Sequence, residues 1–284
     1  MNKSFWLDVS SNNYKIPHGS RLEGLTNKLK GYLGSTDPTL RDEVAYPILS
    51  MWIERGLYDV HKLRELIGDM KANLTDRLGE NYTDTVFLRS FSILILMEII
   101  EYDNKQEVLK RAELEWLLDD VLSYFEKERD LRGYVPDKGW AHAIAHTADL
   151  FGALAGNRHI GRKGLERIVS AIADKVSVAS GHTYLAAEDE RLAYAVIRAL
   201  RCGLIENVFF EKWLNPFAMH HGDDWVEHLS SATGASTYVN VKGFLRSLYF
   251  QILLSNNPPA DADEYASMIK ETIYNMDAVY YKLP

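Results

Sequence analysis

Apolar residues recur at three- and four-residue intervals along almost the whole chain, the spacing of a buried helix face. In residues 59–78, the apolar positions on one side of such a helix are Val60, Leu63, Leu66, Ile67, Met70 and Leu74. The strict alternation of apolar and polar residues that is typical of half-buried strands is almost missing. The pattern predicts an all-α fold.

Alternate predicted helices begin at a regular spacing. Their starts, at residues 38, 84, 139, 189 and 239, lie about 50 residues apart, close to the two-helix unit of HEAT-like arrays. No side-chain pattern repeats with this spacing. We therefore predict a divergent α-α superhelix of HEAT-like stacked helical hairpins, with a closed (α/α) toroid as the alternative architecture.

The predicted helices follow one another without a clear linker. We expect residues 1–284 to form a single all-helical domain, in which residues 1–20, with Pro17 and Gly19, form an irregular N-terminal arm. Residues 84–102 are apolar nearly all round, and a helix of that kind is expected to be central in the fold.

Charge and composition argue against two classes of partner. The formal net charge is −8 and no Lys/Arg-rich block occurs, so the basic surface expected of a nucleic-acid-binding protein is missing. No apolar run reaches the roughly 18 residues that a membrane-spanning helix needs. A single cysteine, Cys202, excludes an intrachain disulfide and agrees with a reducing compartment. We expect a cytoplasmic protein without nucleic-acid or membrane partners, and the oligomeric state stays open.

The strongest candidate for a functional site in the sequence is residues 133–155, GYVPDKGWAHAIAHTADLFGALA. A stiff turn with two glycines, a proline and two aromatics leads into a helix expected to start at Gly139. On that helix His142, His146 and Asp149 share one stripe, which we expect to face a groove or cavity. Trp140 and Ile144 lie on the opposite, buried arc. The candidate ligand-binding residues are Tyr134, Lys138, Trp140, His142, His146 and Asp149.

The stripe allows two interpretations. Two imidazoles one turn apart, followed by a carboxylate, suit a zinc-like divalent metal held by His142, His146 and Asp149. The glutamate of the H-E-x-x-H motif, which would supply a general base, is missing. In the alternative interpretation both histidines form hydrogen bonds within the packed core and Asp149 orients one of them.

Two further acidic clusters could complete such a metal shell. Residues 220–224, His-His-Gly-Asp-Asp, are followed by Glu227 and His228, and residues 188–190 are Glu-Asp-Glu. Both clusters are equally consistent with acidic helix starts, because carboxylates cap and stabilise helix N-termini.

Four segments resemble a known family, and they extend from about Arg41 to Val196. They are RDEVAYPILSMWI, TDTVFLRSFSILIL, ERDLRGYVPDKGWAHAIAHTADLF and EDERLAYAV. Together they resemble the bacterial proteins of the DUF2785 family, and the third segment is the most specific. The resemblance implies an all-helical bacterial protein and carries no catalytic assignment. Thr147 stands where the family pattern often has a glycine.

Two classes of function fit these residues. The first is a binding or scaffold protein whose concave groove, lined by the helix of GWAHAIAHTAD, holds a peptide, a partner protein or a small polar ligand. The alternative is a metal-dependent hydrolase or lyase, with the ion on His142, His146 and Asp149 and a base from Asp223, Asp224 or the Glu188 region. A toroidal carbohydrate-active enzyme would additionally need paired carboxylates in an aromatic-lined cavity.

Overall fold

The computed structural model describes residues 2–218, 225–277 and 281, and the chain divides into two compact units, Met1–Asn157 and Arg158–Pro284. Almost all regular structure in the described residues is helical, which confirms the all-α class. The first unit contains α1 (Lys3–Ser11), α2 (Leu22–Tyr32), α3 (Tyr46–Glu54), α4 (Val60–Leu74), α5 (Thr85–Gln106), α6 (Arg111–Lys127) and α7 (Ala143–Ala155). The single-domain organisation of residues 1–284 stays a prediction.

The N-terminal arm is not irregular throughout, so this expectation is wrong for its first half. Residues 3–11 form α1 because the side chain of Asn2 caps the helix, accepting a hydrogen bond from the backbone N–H of Phe5 at 3.0 Å. Trp6 and Val9, three residues apart, bury the inner face of α1.

A π-helical segment, Thr39–Ala45, leads directly into α3. Its wider turn is marked by the N–H of Tyr46, which donates to the carbonyl of Arg41, five residues earlier. Pro47 explains the widening, because proline has no N–H to donate within a helix and its ring collides with the preceding turn. The segment carries Arg41 and Asp42, both of which contact the candidate site.

Helix α5 is the central helix of the first unit, as its composition predicts. It packs against α3, α4 and α7, and its buried residues lie on every side of the helix. A helix with such a surface is stable only when neighbouring elements cover it nearly completely. The frame of the candidate site therefore rests on α5.

A two-stranded hairpin precedes α7 where the sequence predicts the first turn of a helix. The strands are β1 (Tyr134–Val135) and β2 (Gly139–Trp140), which pair antiparallel. The predicted start of the helix at Gly139 is wrong. Residues 139 and 140 pair with β1 and α7 begins only at Ala143.

The second unit consists of helices in the described residues. They are α8 (Arg162–Val176), α9 (Glu188–Leu200), α10 (Asn207–Ala218), α11 (Trp225–His228), α12 (Ala232–Leu254) and α13 (Ala262–Met276). Helix α12 packs against α8, α9, α11 and α13. Within the described part of the chain, no helix combines the length and the apolar character needed to cross a bilayer.

Candidate functional site

The hairpin of residues 134–140, called here the aromatic hairpin, presents two rings on its surface. Tyr134 and Trp140 face each other across the two strands, and their ring centroids lie 5.0 Å apart with the planes at 78°. Their exposed fractions are 60% and 41%. Together the two rings form a small exposed apolar surface that a ligand could contact.

The turn of the hairpin has a defined backbone conformation. The N–H of Lys138 donates to the carbonyl of Val135 at 3.1 Å, and Pro136 fixes the second position of the turn. Asp137 has a φ of +63°, a left-handed conformation that Asp and Asn tolerate better than most residues. Pairing extends beyond the strands, because Ala141 N–H donates to the Gly133 carbonyl at 2.9 Å.

Arg41 fastens the hairpin to the rest of the first unit. Its guanidinium is fully buried and donates at 2.6 Å to the carbonyls of Ser35 and Lys138. The guanidinium carbon also lies 4.1 Å from the ring centroid of Phe87 on α5, a distance typical of a cation–π contact. The π-helical segment, the turn and α5 are therefore joined by one side chain.

The fit of the turn against Arg41 and Asp42 depends on glycine at position 139. Gly139 has a φ of +78°, and a Cβ there would lie 2.9 Å from Asp42 Oδ2 and 3.0 Å from Arg41 Nη2. Burial lowers the pKa of Arg41 and raises the pKa of Asp42, while their mutual attraction opposes both shifts. Any residue larger than glycine would have to displace this charged pair.

Lys138 makes the second tie between the hairpin and α5. Its ammonium lies 2.8 Å from both carboxylate oxygens of Asp84, the N-cap residue of α5. The two side chains are 40% and 44% exposed, so solvent screens the attraction and the pair contributes little to stability. Its effect on the site is to neutralise the Lys138 charge beside the rings.

His142 lies under Trp140 and not on the helix. It is the N-cap residue of α7, with φ 48° and ψ 32°, and its imidazole stacks on Trp140 at a centroid distance of 4.2 Å and an angle of 24°. The side chain is nearly buried. A non-glycine residue in this conformation costs free energy, and here the conformation brings the imidazole against the indole.

His146 continues the ring contacts into the core. Its ring meets His142 edge to face at 5.7 Å and Phe91 of α5 at 5.2 Å. Nδ1 lies 3.2 Å from the carbonyl oxygen of Ser90, so that nitrogen carries the hydrogen in this contact. Tyr134, Trp140, His142, His146 and Phe91 thus form a continuous ladder of rings from the surface to α5.

The expectation that the polar stripe of α7 faces a groove is wrong for both histidines. His142 and His146 are 8% and 5% exposed, and Asp149 is half-buried. The small residues of α7 allow it to pack closely against α5 and α6. Trp140, expected on the buried arc, is instead exposed, because successive residues of β2 point to opposite faces and Gly139 takes the buried one. The hydroxyl of Thr147 is also internal and donates to the carbonyl of Ala143 at 2.7 Å.

The metal hypothesis stays a prediction. Among residues 2–218, 225–277 and 281, no three His, Cys, Asp or Glu side chains are grouped so that they could hold an ion. The hypothesis predicts near-stoichiometric zinc, manganese or iron in protein purified without a His-tag, and its loss in the variant His142→Ala plus His146→Ala. Metal-free native protein whose double variant only loses stability would contradict it.

The two further acidic clusters predicted from the sequence lie at residues 220–228 and 188–190. Residues 220–224, with Asp223 and Asp224, lie outside the described residues, and Glu227 and His228 belong to α11. Glu188 begins α9, as the acidic helix start predicts, and its buried carboxylate accepts the N–H of Ala186 at 2.8 Å. Asp189 accepts a hydrogen bond from the Ser247 hydroxyl at 3.2 Å.

Three residues of the site have no signal in the sequence that points to it. Arg41, Asp84 and Phe91 read as ordinary members of helical segments, and they reach the hairpin only through the packing of the first unit. The proline and glycines of residues 133–139 were a usable signal for the hairpin, because such turns between short runs are typical of paired strands.

Comparison with known proteins gives one match. The model of a family described as "Protein of unknown function (DUF2785)" matches residues 74–250, which confirms the resemblance and includes the aromatic hairpin and α7. The matched range begins later and ends later than the four resembling segments. Neither the curated proteins nor the solved structures that were compared gave a match.

Proposed function

The chain belongs to the DUF2785 family of proteins of unknown function, and we propose that it is a binding protein whose ligand docks on the aromatic hairpin. The observation that carries the proposal is the exposed, edge-to-face pair Tyr134 and Trp140. Tyrosine and tryptophan dominate binding energies in known interfaces because each buries a large area at a low cost in side-chain entropy.

The rigidity of the hairpin supports the same proposal. A hydrogen bond from the buried Arg41 holds the turn against the rest of the first unit, and His142 stacks on Trp140. Side chains that are already held in place lose little freedom when a ligand binds, so more of the contact energy appears as affinity. Two aromatic side chains that are exposed without a function would not require these contacts of Arg41 and His142.

The partner classes that fit are a peptide, a partner protein or a small polar ligand. We propose that the helices form a HEAT-like α-α superhelix in the cytoplasm, with the aromatic hairpin beside its concave groove. The near-regular spacing of alternate helix starts supports the superhelix. Arrays of this kind present extended concave surfaces that suit peptides and proteins.

Fluorine NMR tests the binding proposal. The chain has 6 tryptophans, so protein labelled with 5-fluorotryptophan gives a small set of signals, in which those of Trp140 and Trp116 are assigned by Trp140→Phe and Trp116→Phe. Trp116 is the matched control because it is 64% exposed on α6. We expect a small-molecule or peptide fraction of a cell extract to shift the Trp140 signal and leave that of Trp116 unchanged. If none of the fractions shifts the Trp140 signal without also shifting that of Trp116, the proposal is contradicted.

A further inference from the structure

We infer that the cleft between α2 and α4 in the first unit binds a short aliphatic amino alcohol. The cleft has a volume of about 230 Å³ and is lined by one side of α2, one side of α4 and residues 57–59 before α4. At the roughly 30 Å³ that a water molecule occupies in the liquid, it holds about seven non-hydrogen atoms. The cleft shares no lining residue with the aromatic hairpin, and this site does not depend on the proposed function.

Two buried hydroxyl groups line the cleft and leave one hydrogen without an acceptor. Thr26 and Tyr58 are 8% and 6% exposed, and their hydroxyl oxygens lie 2.9 Å apart. Burial raises the pKa of Tyr58, so both groups keep their hydrogens at neutral pH. Whichever group donates in this bond, the hydrogen of the other has no acceptor among the residues that the structure describes. A buried donor of this kind costs free energy until an acceptor enters the cleft.

Carboxylates outnumber ammonium groups around the cleft. Its lining contains four acidic residues and two lysines. Lys30 pairs with Asp69 at 2.5 Å. Lys62 pairs with Glu65 at 2.8 Å and lies 3.9 Å from Glu23, beyond hydrogen-bonding distance. The excess of negative charge favours a ligand that carries a cation.

The apolar part of the lining comes from Leu22, Leu57 and Leu66. Leu66 is buried and Leu57 is 39% exposed, so the methylene groups of a ligand would cover apolar surface that water otherwise contacts. The lining thus suits an oxygen acceptor, a short methylene chain and an ammonium group. An amino alcohol combines these three features in a molecule small enough for the cleft.

The test compares three compounds of nearly equal shape. 4-Amino-1-butanol carries the oxygen and the charge, pentylamine lacks the oxygen, and 1-pentanol lacks the charge. We expect 4-amino-1-butanol to bind at least about 3-fold more tightly than either of the others, as measured by saturation-transfer NMR titration. If none of the three binds, or if pentylamine or 1-pentanol binds as tightly as 4-amino-1-butanol, the inference is overturned.

A double variant assigns the oxygen to the buried hydroxyl groups. Thr26→Val plus Tyr58→Phe removes both groups and keeps the shapes of the side chains, a change that is nearly neutral for stability because no partner is left unpaired. In this variant 4-amino-1-butanol should lose its advantage over pentylamine, while pentylamine should bind as it does to wild-type protein. An unchanged advantage would show that the oxygen does not contact these hydroxyl groups.

Glu23→Gln tests the charge of the cleft. It should lower the affinity for 4-amino-1-butanol at least about 2-fold at low salt, with a smaller difference at high salt. Glu115→Gln is the matched control, because Glu115 is exposed on α6 outside the cleft and its replacement changes the net charge equally. Equal effects of the two variants would contradict binding of the ammonium group in the cleft.

The 5-fluorotryptophan signal of Trp140 separates this site from the aromatic hairpin. 4-Amino-1-butanol should leave that signal unchanged, whereas a ligand of the hairpin should shift it. A shift of the Trp140 signal by 4-amino-1-butanol, with the same affinity in wild-type protein and the double variant, would place the compound at the hairpin and overturn the site in the cleft.

Discussion

Replacing Arg89 with methionine is expected to lower the free energy of unfolding by about 3–5 kcal/mol. Arg89 and Glu128 are 0% and 1% exposed and form two parallel hydrogen bonds, of 2.6 and 3.0 Å. Burial, the largest influence, works against the charged guanidinium, but the hydrogen bond and charge of Glu128 more than offset it and raise the pKa of Arg89. The variant leaves a buried carboxylate without its cation.

The matched control is Arg64→Met. Arg64 makes the same two-pronged contact with Glu113, at 2.6 and 3.1 Å, but on the surface, where such pairs contribute about 0–1 kcal/mol. Urea unfolding followed by circular dichroism measures both variants. If Arg89→Met and Arg64→Met lose the same stability, burial of the Arg89–Glu128 pair does not make it contribute more than a surface pair.

Replacing Arg41 with methionine has the second large expected effect, a loss of about 2–4 kcal/mol. The substitution removes the donors to the carbonyls of Ser35 and Lys138 and the partner of Asp42. It should also loosen the aromatic hairpin locally. Hydrogen exchange at the amide of Lys138, which donates to Val135, should accelerate by at least about 10-fold relative to wild type.

Arg55→Met controls for the loss of an arginine that is bonded to a loop. Arg55 also donates two hydrogen bonds, to the carbonyl and side-chain oxygens of Asn13, but in an exposed position. It should cost less than about 1 kcal/mol and leave exchange at Lys138 unchanged. Unchanged exchange at Lys138 in Arg41→Met would show that the hairpin keeps its conformation without this tie.

Most of the helices can be predicted from the sequence, because the buried face of a helix requires apolar residues at three- and four-residue intervals. The central position of α5 follows from a surface apolar on all sides, and the start of α9 follows from its three acidic residues. The helix α1 was missed although Asn2, Trp6 and Val9 carry a cap and a buried face. Nine residues are too few for the period to stand out against an irregular segment.

The sequence indicates residues 133–155 as the candidate site but predicts the wrong local geometry for them. A helix extended back to Gly139 aligns His142, His146 and Asp149 as a stripe. Instead, residues 139 and 140 pair with residues 134 and 135, and His142 takes a left-handed conformation. A single residue in the left-handed conformation changes the direction of the chain, so the residues before His142 do not continue the axis of α7. The exposure of Trp140, which the predicted helix would bury, follows from this change.

The tertiary ties of the site lie beyond sequence reasoning. Arg41 and Lys138 are 97 residues apart in the chain, and their contact depends on the π-helical turn before Pro47 and on the absence of a side chain at Gly139. The π-helical turn and the glycine each have a local cause in the sequence. The contact between Arg41 and Lys138 arises only when the first unit is packed.

The affinity of the Trp140→Leu variant for its ligand tests the central claim most directly. Calorimetric titration would use the compound purified from the fraction that moves the Trp140 fluorine signal, with wild-type protein, Trp140→Leu and Trp116→Leu compared. We expect Trp140→Leu to weaken binding at least about 10-fold, the usual effect of removing a central aromatic, and Trp116→Leu to bind as wild type. Equal affinities of all three proteins would contradict the assignment of the aromatic hairpin as the binding site.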